Sequence, residues 1–468
     1  MKVSTRKSMD IDAGKELAQV QPNVIICQCD EMRAFELSCY GGKAFNTPNI
    51  DKLAASGTRF DLSVTNNPVC VPARSCLLTG QYSRTCGGSL DNSFADKPSP
   101  KRERLLDTTI AEQFKSAGYK TALIGKWHTY TMPENTGFDY SLYPAVPHKY
   151  ANQTYYEGER EFIVDEFTEE YNIRNVEEYI KENKDEPFFL YYNISLPHMP
   201  MLADVPEKYT KMFTRDDVIL RENVMCDGRL PYDKHRFLVY LYDHIYYNHP
   251  DKENLFKLPD DFDIYDLTAL YYGAVMCMDD MVGRLLDSLQ GNDLEENTIV
   301  LFNSDHGDNL GSHGCWNKNM LIEESIRIPM MFSWPEKIVA QENTKQVAQT
   351  IDIMPTLLEL AGLDIPKSIQ GRSLADILKG KNQMIPDNYA FIETDSYKIG
   401  IRTPEYMYGI EISRDEKEVI NDTLYFYNIK NDPFELNNKA GTEYDVQIAD
   451  NFKNIIFEWN KKTPWMVG

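Results

Sequence analysis

Short apolar runs alternate with helical patterns along most of this chain, and each run ends in polar residues able to do chemistry. Residues 24–27 lead into Asp30-Glu31, and residues 121–124 into Lys126-Trp127-His128. Residues 188–194 lead into Pro197-His198-Met199-Pro200, and residues 298–303 into Asp305-His306-Gly307-Asp308. A continuous apolar run reads as a strand buried on both faces, and strands alternating with helices build a parallel sheet covered on both sides. The predicted fold class is therefore α/β, a large, mostly parallel sheet sandwiched by helices. Sheets of this kind bind ligands at the carboxyl ends of their strands. If these four strands are parallel, their polar ends meet on one rim.

The intervening segments carry helix signals. Thr47-Pro48 reads as N-cap and first helical residue, with Ile50, Leu53 and Ala54 on one face and Gly57 as the stop. Asp107 or Thr108 is expected to start a second helix that ends at Gly118. Residues 267–289 and 352–361 show the helical period, and residues 329–332 read as a further strand. After about residue 380 the pattern becomes short strands at 389–393, 399–402, 407–412 and 424–428, with a terminal helix over 444–460. This predicts two domains: 1–380, the catalytic α/β unit, and 381–468, a smaller α+β unit on a short antiparallel sheet. Residues 200–262 are poorly periodic and rich in Tyr, His and Asp, and read as long loops near the site.

The formal net charge of −23 argues against nucleic acid, whose phosphates would be repelled. A small anionic ligand remains compatible, because a few cations and a metal reverse the field locally. The nine cysteines lack metal-ligand or disulfide spacing and read as reduced thiols. No apolar run approaches the length of a membrane span, and residues 1–21 lack the apolar core of a signal peptide. The expected location is the cytoplasm, or the periplasm or exterior if a leader has been removed.

Two features carry specific chemistry. Asp30, Glu31, Asp305 and His306 form an oxygen-rich set with one imidazole, which suits a hard divalent cation such as Ca²⁺ or Mg²⁺. Either aspartate alone reads better as a helix cap; together they point to metal. The second feature is the run from Cys70 to Gly80, Cys-Val-Pro-Ala-Arg-Ser-Cys-Leu-Leu-Thr-Gly. Pro72 suits the first turn of a helix and Gly80 its end. Cys70 then sits at a helix N-terminus beside Arg74, a setting expected to lower a thiol pKa.

Cys70-x-Pro72-x-Arg74 with its Leu-Leu-Thr-Gly tail resembles the signature of the formylglycine-dependent sulfatases of the alkaline-phosphatase superfamily. Ala73 and Ser75 depart from the residues common at those positions, and neither touches an expected catalytic role. The resemblance extends through Gly125-Lys126-Trp127-His128, Asp352-Ile353-Met354-Pro355-Thr356 and Asn431-Asp432-Pro433-Phe434, from about residue 22 to about 440. It implies that a separate formylglycine-generating enzyme oxidises Cys70 to an aldehyde. It further implies catalytic roles for Cys70, Arg74, Lys126, His128, His198 and Lys318. Asp30, Glu31, Asp305 and His306 would hold Ca²⁺, or Mg²⁺, together with residue 70. Glu31 stands where the family usually has Asp. The implied activity is hydrolysis of a sulfate monoester, on a sulfated carbohydrate or an aryl sulfate. The alternative is a phosphonate monoester or phosphodiester hydrolase of the same superfamily. No membrane partner is expected.

Overall fold

The computed structural model describes residues 21–92, 98–199, 204–224 and 261–466. Most of the 200–262 segment and the N-terminal residues 1–20 lie outside the described residues. The strands, in chain order, are β1 (Asn23–Asp30), β2 (Thr58–Val64), β3 (Lys120–Gly125), β4 (Tyr140–Pro144), β5 (Gln153–Glu157), β6 (Arg160–Val164), β7 (Phe188–Pro197), β8 (Thr298–Ser304), β9 (Met330–Ser333) and β10 (Gln341–Gln349). They form one ten-stranded sheet in the order β10-β2-β9-β8-β1-β7-β3-β4-β5-β6. β11 (Ala390–Glu393), β12 (Lys398–Arg402), β13 (Tyr406–Ile412) and β14 (Val419–Asn428) make a second, antiparallel sheet.

The centre of the large sheet is parallel. β8, β1, β7 and β3 are adjacent and run the same way, so the four strand ends named above lie on one rim. β9 pairs antiparallel with both β8 and β2, and β4-β5-β6 form an antiparallel meander at one edge. The sheet is thus mixed.

The apolar runs are explained by cover on both faces. Ile25, Cys27 and Cys29 of β1 pack under the 28-residue helix Ile264–Gly291 and the helix Thr168–Glu182. Val24 and Ile26 point the other way, toward the helices Cys70–Thr79, Ile110–Ser116 and Ile353–Leu360. Alternate side chains of one strand feed two cores, so residues 24–27 are apolar without a break. The second sheet packs beneath the helix Val446–Lys462 in a core that includes Cys76 and Tyr82, next to the Cys70–Thr79 helix.

The helix expected from Asp107 or Thr108 begins later. Thr109 is its N-cap, accepting from the Glu112 N–H at 3.2 Å while the Glu112 carboxylate accepts from the Thr109 N–H at 2.9 Å. This capping box satisfies two backbone donors that a start at 107 would strand. Among the described residues no helix is long and apolar enough to cross a membrane.

Candidate active site

The run from Cys70 folds as the helix Cys70–Thr79, buried throughout and closed by Gly80 at φ 63°. Its first turn points at the sheet rim. The Cys70 sulfur lies 3.2 Å from His306 Nε2, 3.1 Å from Lys318 Nζ and 3.9 Å from Asp30 Oδ1. Ligand-type atoms of Asp30, Cys70, Asp305 and His306 all fall within 4.8 Å of one another. Residues far apart in the chain are brought together because β1 and β8 are neighbours in register, pairing Cys29 with Ser304.

Cations surround this cluster. Arg74, one helical turn after Cys70, is fully buried and reaches Asp305 Oδ2 with Nε at 3.1 Å and Nη2 at 2.9 Å; its Nη1 donates to Asn193 Oδ1 at 2.9 Å. Lys126 pairs with Asp30 Oδ2, and both side chains are buried. Each aspartate therefore gives one oxygen to a cation and keeps Oδ1 toward His306, whose Nε2 is 3.8 Å from Asp30 Oδ1 and 3.6 Å from Asp305 Oδ1.

The Cys70 thiol is not acidified. Burial pushes its pKa up, and Asp305 and Glu31 add to that, against the opposing pull of Lys318 and Arg74. The expectation from the helix N-terminus and one arginine fails because desolvation outweighs both. Burial also presses on the bases: His306 is pushed down to about 3, and His128 and His198 fall well below the usual imidazole value. Lys126 is likewise lowered by burial. Asp305 moves against its burial, held below the usual carboxylate range by His306, Arg74, Lys126 and Lys318.

Glu31, at φ 69°, turns its carboxylate toward Lys318 (2.7 Å) and His198 Nε2 (3.5 Å). Burial raises its pKa to about 8 despite Lys318. The structure thus brings Cys70, Arg74, Lys126, His198, Lys318, Asp30, Glu31, Asp305 and His306 into one buried constellation. His128 makes no hydrogen bond to Cys70 among the described residues; its ring lies edge-on to His148 at 5.9 Å. His148, which the sequence reading missed, stacks on His198 with ring centroids 3.6 Å apart. Its signal was a proline immediately before it, Pro147-His148, as in Pro197-His198. Asn193, inside β7, was hidden within an apolar run.

Two carboxylate oxygens and a neutral imidazole around residue 70 are a donor set that fits a hard divalent cation. With Cys70 at a helix start and Arg74, Lys126 and Lys318 close by, the pocket suits an anionic ligand. The sulfatase family model matches residues 22–363, and the model for the C-terminal part of N-sulphoglucosamine sulphohydrolase matches residues 311–462. The chain belongs to the sulfatase family, and it is a sulfatase, an enzyme of sulfate-ester hydrolysis. Its relatives include an ulvan-active sulfatase of Formosa agariphila, 29% identical over 90% of this chain and 77% of that protein. An N-acetylglucosamine-6-O-sulfatase of Bacteroides thetaiotaomicron is 27% identical over 94% of this chain and 87% of that one. The fold matches a protein solved with its substrate D-glucosamine-2-N,6-O-disulfate, at a TM-score of 0.79 and 24% identity, covering 94% of this chain and 98% of that one. The family implies a metal and a formylglycine.

Proposed function

We propose that this enzyme removes sulfate from a sulfated carbohydrate, with residue 70 as formylglycine and a divalent cation held by Asp30, Asp305, His306 and residue 70. The observation that carries the reading is the ring of groups about the Cys70 sulfur: Lys318 at 3.1 Å, His306 at 3.2 Å and Asp30 at 3.9 Å. Names of relatives support the carbohydrate class, two of them acting on ulvan or on N-acetylglucosamine-6-O-sulfate.

A formylglycine at residue 70 would supply an oxygen nucleophile with a second hydroxyl, and a cation held by Asp30, Asp305 and His306 would supply charge stabilisation for the sulfuryl oxygens. The chain's own groups do the rest. Lys126, Lys318 and Arg74 surround the position where negative charge gathers, and their fixed, dry placement makes them effective there. Glu31 is the least engaged of the acidic groups with the cation site, because Lys318 and His198 hold its carboxylate. We assign it to orient those two groups and to a ligand role only through its remaining oxygen capacity. His198 is assigned to give a proton to the departing alcohol oxygen, and His128 would take a proton from a hydroxyl of residue 70 in its formylglycine form.

Peptide mass over residues 70–80 tests the modification: loss of the sulfur in favour of an aldehyde is expected, and an intact cysteine in active protein would overturn it. Turnover of 4-nitrophenyl sulfate against a phenyl phosphonate monoester tests the reaction class, and faster phosphonate cleavage would favour the superfamily's other branch.

A further inference from the structure

The loop 145–152 joins β4 to β5 and folds back over the carboxyl end of β7. Tyr150 ties it there, its hydroxyl donating to the Ser195 carbonyl at 3.2 Å and to the His198 carbonyl. The Lys149 carbonyl accepts from the Gln153 amide and, at 3.3 Å, from the Thr168 hydroxyl. These anchors deliver His148, between Val146 and Tyr150 in the loop, face to face with His198: the ring centroids are 3.6 Å apart and the planes 12° from parallel. The edge of His128 meets His148 on a perpendicular plane at 5.9 Å and 85°. His148 Nδ1 is buried without a hydrogen-bond partner among the described residues. Besides these ring contacts, a His148 ring nitrogen lies within 4.8 Å of an Asp30 carboxylate oxygen and of a His198 ring nitrogen.

His198 needs such a contact. Its Nδ1 meets the Met199 carbonyl, which can only accept, so Nδ1 carries the hydrogen and Nε2 is the nitrogen left to face the site, 3.5 Å from Glu31 Oε2. One hydrogen bond in the ring plane leaves the ring free to tilt about its own axis. A parallel aromatic face at van der Waals distance removes that freedom, and it is attracted to the imidazolium that proton donation requires.

We propose that His148 is a positioning residue for departure of the leaving alcohol, holding the His198 ring so that Nε2–H points at the ester oxygen. This rests on His198 being the proton donor. The donor is the ring carrying a second hydrogen on Nε2, a form that the negative charge of a bound sulfate ester favours against the burial of His198. In that step the S–O bond breaks with its electron pair going to the alcohol oxygen, the Nε2–H bond breaks to leave the neutral Nδ1–H ring, and the new O–H bond forms. The benefit scales with the basicity of the leaving oxygen, since a 4-nitrophenolate departs without help and a more basic phenolate does not.

The test uses the metal-loaded, formylglycine-bearing enzyme and a series of aryl sulfates from 4-nitrophenyl sulfate to phenyl sulfate. For His148→Ala, kcat/KM on phenyl sulfate is expected to fall about 10–100-fold, a fraction of a full general-acid contribution, with little change on 4-nitrophenyl sulfate. The plot of log kcat/KM against phenol pKa steepens. His148→Phe keeps a flat ring in place and recovers most of the loss, whereas His148→Leu fills the space without a face and behaves as Ala; it stands in where Ala does not fold. Equal loss across the series, no loss, or Phe no better than Leu would overturn the inference. His198→Ala is the reference. If it steepens the plot and His148→Ala does not, the inference alone fails; if it leaves the slope unchanged, the proton-donor assignment fails and the inference with it.

Discussion

Lys318 holds its ammonium 3.1 Å from the Cys70 sulfur across a sequence separation of 248 residues. Burial alone would discharge it, but Cys70 and Glu31 outweigh that cost and keep it cationic. A fixed charge at this distance is placed to meet developing negative charge rather than to bind the resting ester. Lys318→Ala is therefore expected to lower kcat by about 10²–10³-fold with a smaller effect on KM. Lys318→Arg is not expected to restore it, because a planar fork does not occupy an ammonium's position between Cys70 and Glu31. Steady-state kinetics on 4-nitrophenyl sulfate, alongside a check that residue 70 is still converted, decides the matter.

Gly125 ends β3 at φ 95°, immediately before Lys126, and a Cβ there would sit 2.0 Å from the Asn193 carbonyl oxygen of β7. Backbone cannot yield as a side chain does, so β3 and β7 would have to part at the rim. Gly125→Ala is expected to destabilise the fold by about 1–3 kcal/mol and to lower activity further than that loss explains, because Lys126 moves away from Asp30. Urea denaturation compared with kcat on fully folded enzyme separates the two effects.

Asp305 serves both the cation cluster and Arg74, which it meets at 2.9 Å in a fully buried pair. Chelation should abolish activity, and restoring it with Ca²⁺ or Mg²⁺ separately identifies the ion that works. Asp305→Asn should lose bound divalent metal by elemental analysis after dialysis. It should also cost about 3–5 kcal/mol in urea denaturation, because the Arg74 charge is left buried without its partner. A variant that keeps its metal would show that this carboxylate is not a ligand.

Much of the site was legible because its signals are local. Each of β1, β3, β7 and β8 is an apolar run followed at once by its chemistry, and a parallel arrangement does the rest. β2, β4, β5, β6 and β10 escaped notice because none is an apolar run ending in site residues, and two of them show why. β6 is exposed along most of its length, and β10 reads Gln-Glu-Asn-Thr-Lys-Gln-Val-Ala-Gln, polar until its last third. Both lie at the sheet's edges, where one side needs no apolar cover. His148 was missed for the same reason, since it arrives from the β4–β5 turn of that edge meander. The thiol pKa was misjudged because neighbours in sequence reveal charge but not burial.

Glu435 tests a titration remote from the cation cluster. It lies in the segment after β14 and accepts from the Glu323 N–H at 2.8 Å. The arginines nearby are taken: Arg402 forks onto Glu323 at 2.7 and 3.0 Å, and Arg221 holds Glu324 at 2.5 Å. Burial and then the charges of Glu323 and Glu324 raise the Glu435 pKa well above its ordinary 4.5. Between pH 4.5 and that raised value the folded chain binds a proton that the unfolded chain has released, so this residue makes stability fall as pH rises through the window. Glu323, held low by Arg402 against its burial, acts only below the ordinary carboxylate range, where its contribution is lost as pH falls. Glu435→Gln keeps the carbonyl acceptor for the Glu323 N–H and removes the titration. Its urea midpoint relative to wild type should therefore improve from pH 5 to pH 8, while an unchanged or declining difference would show that Glu435 is ionised in the fold.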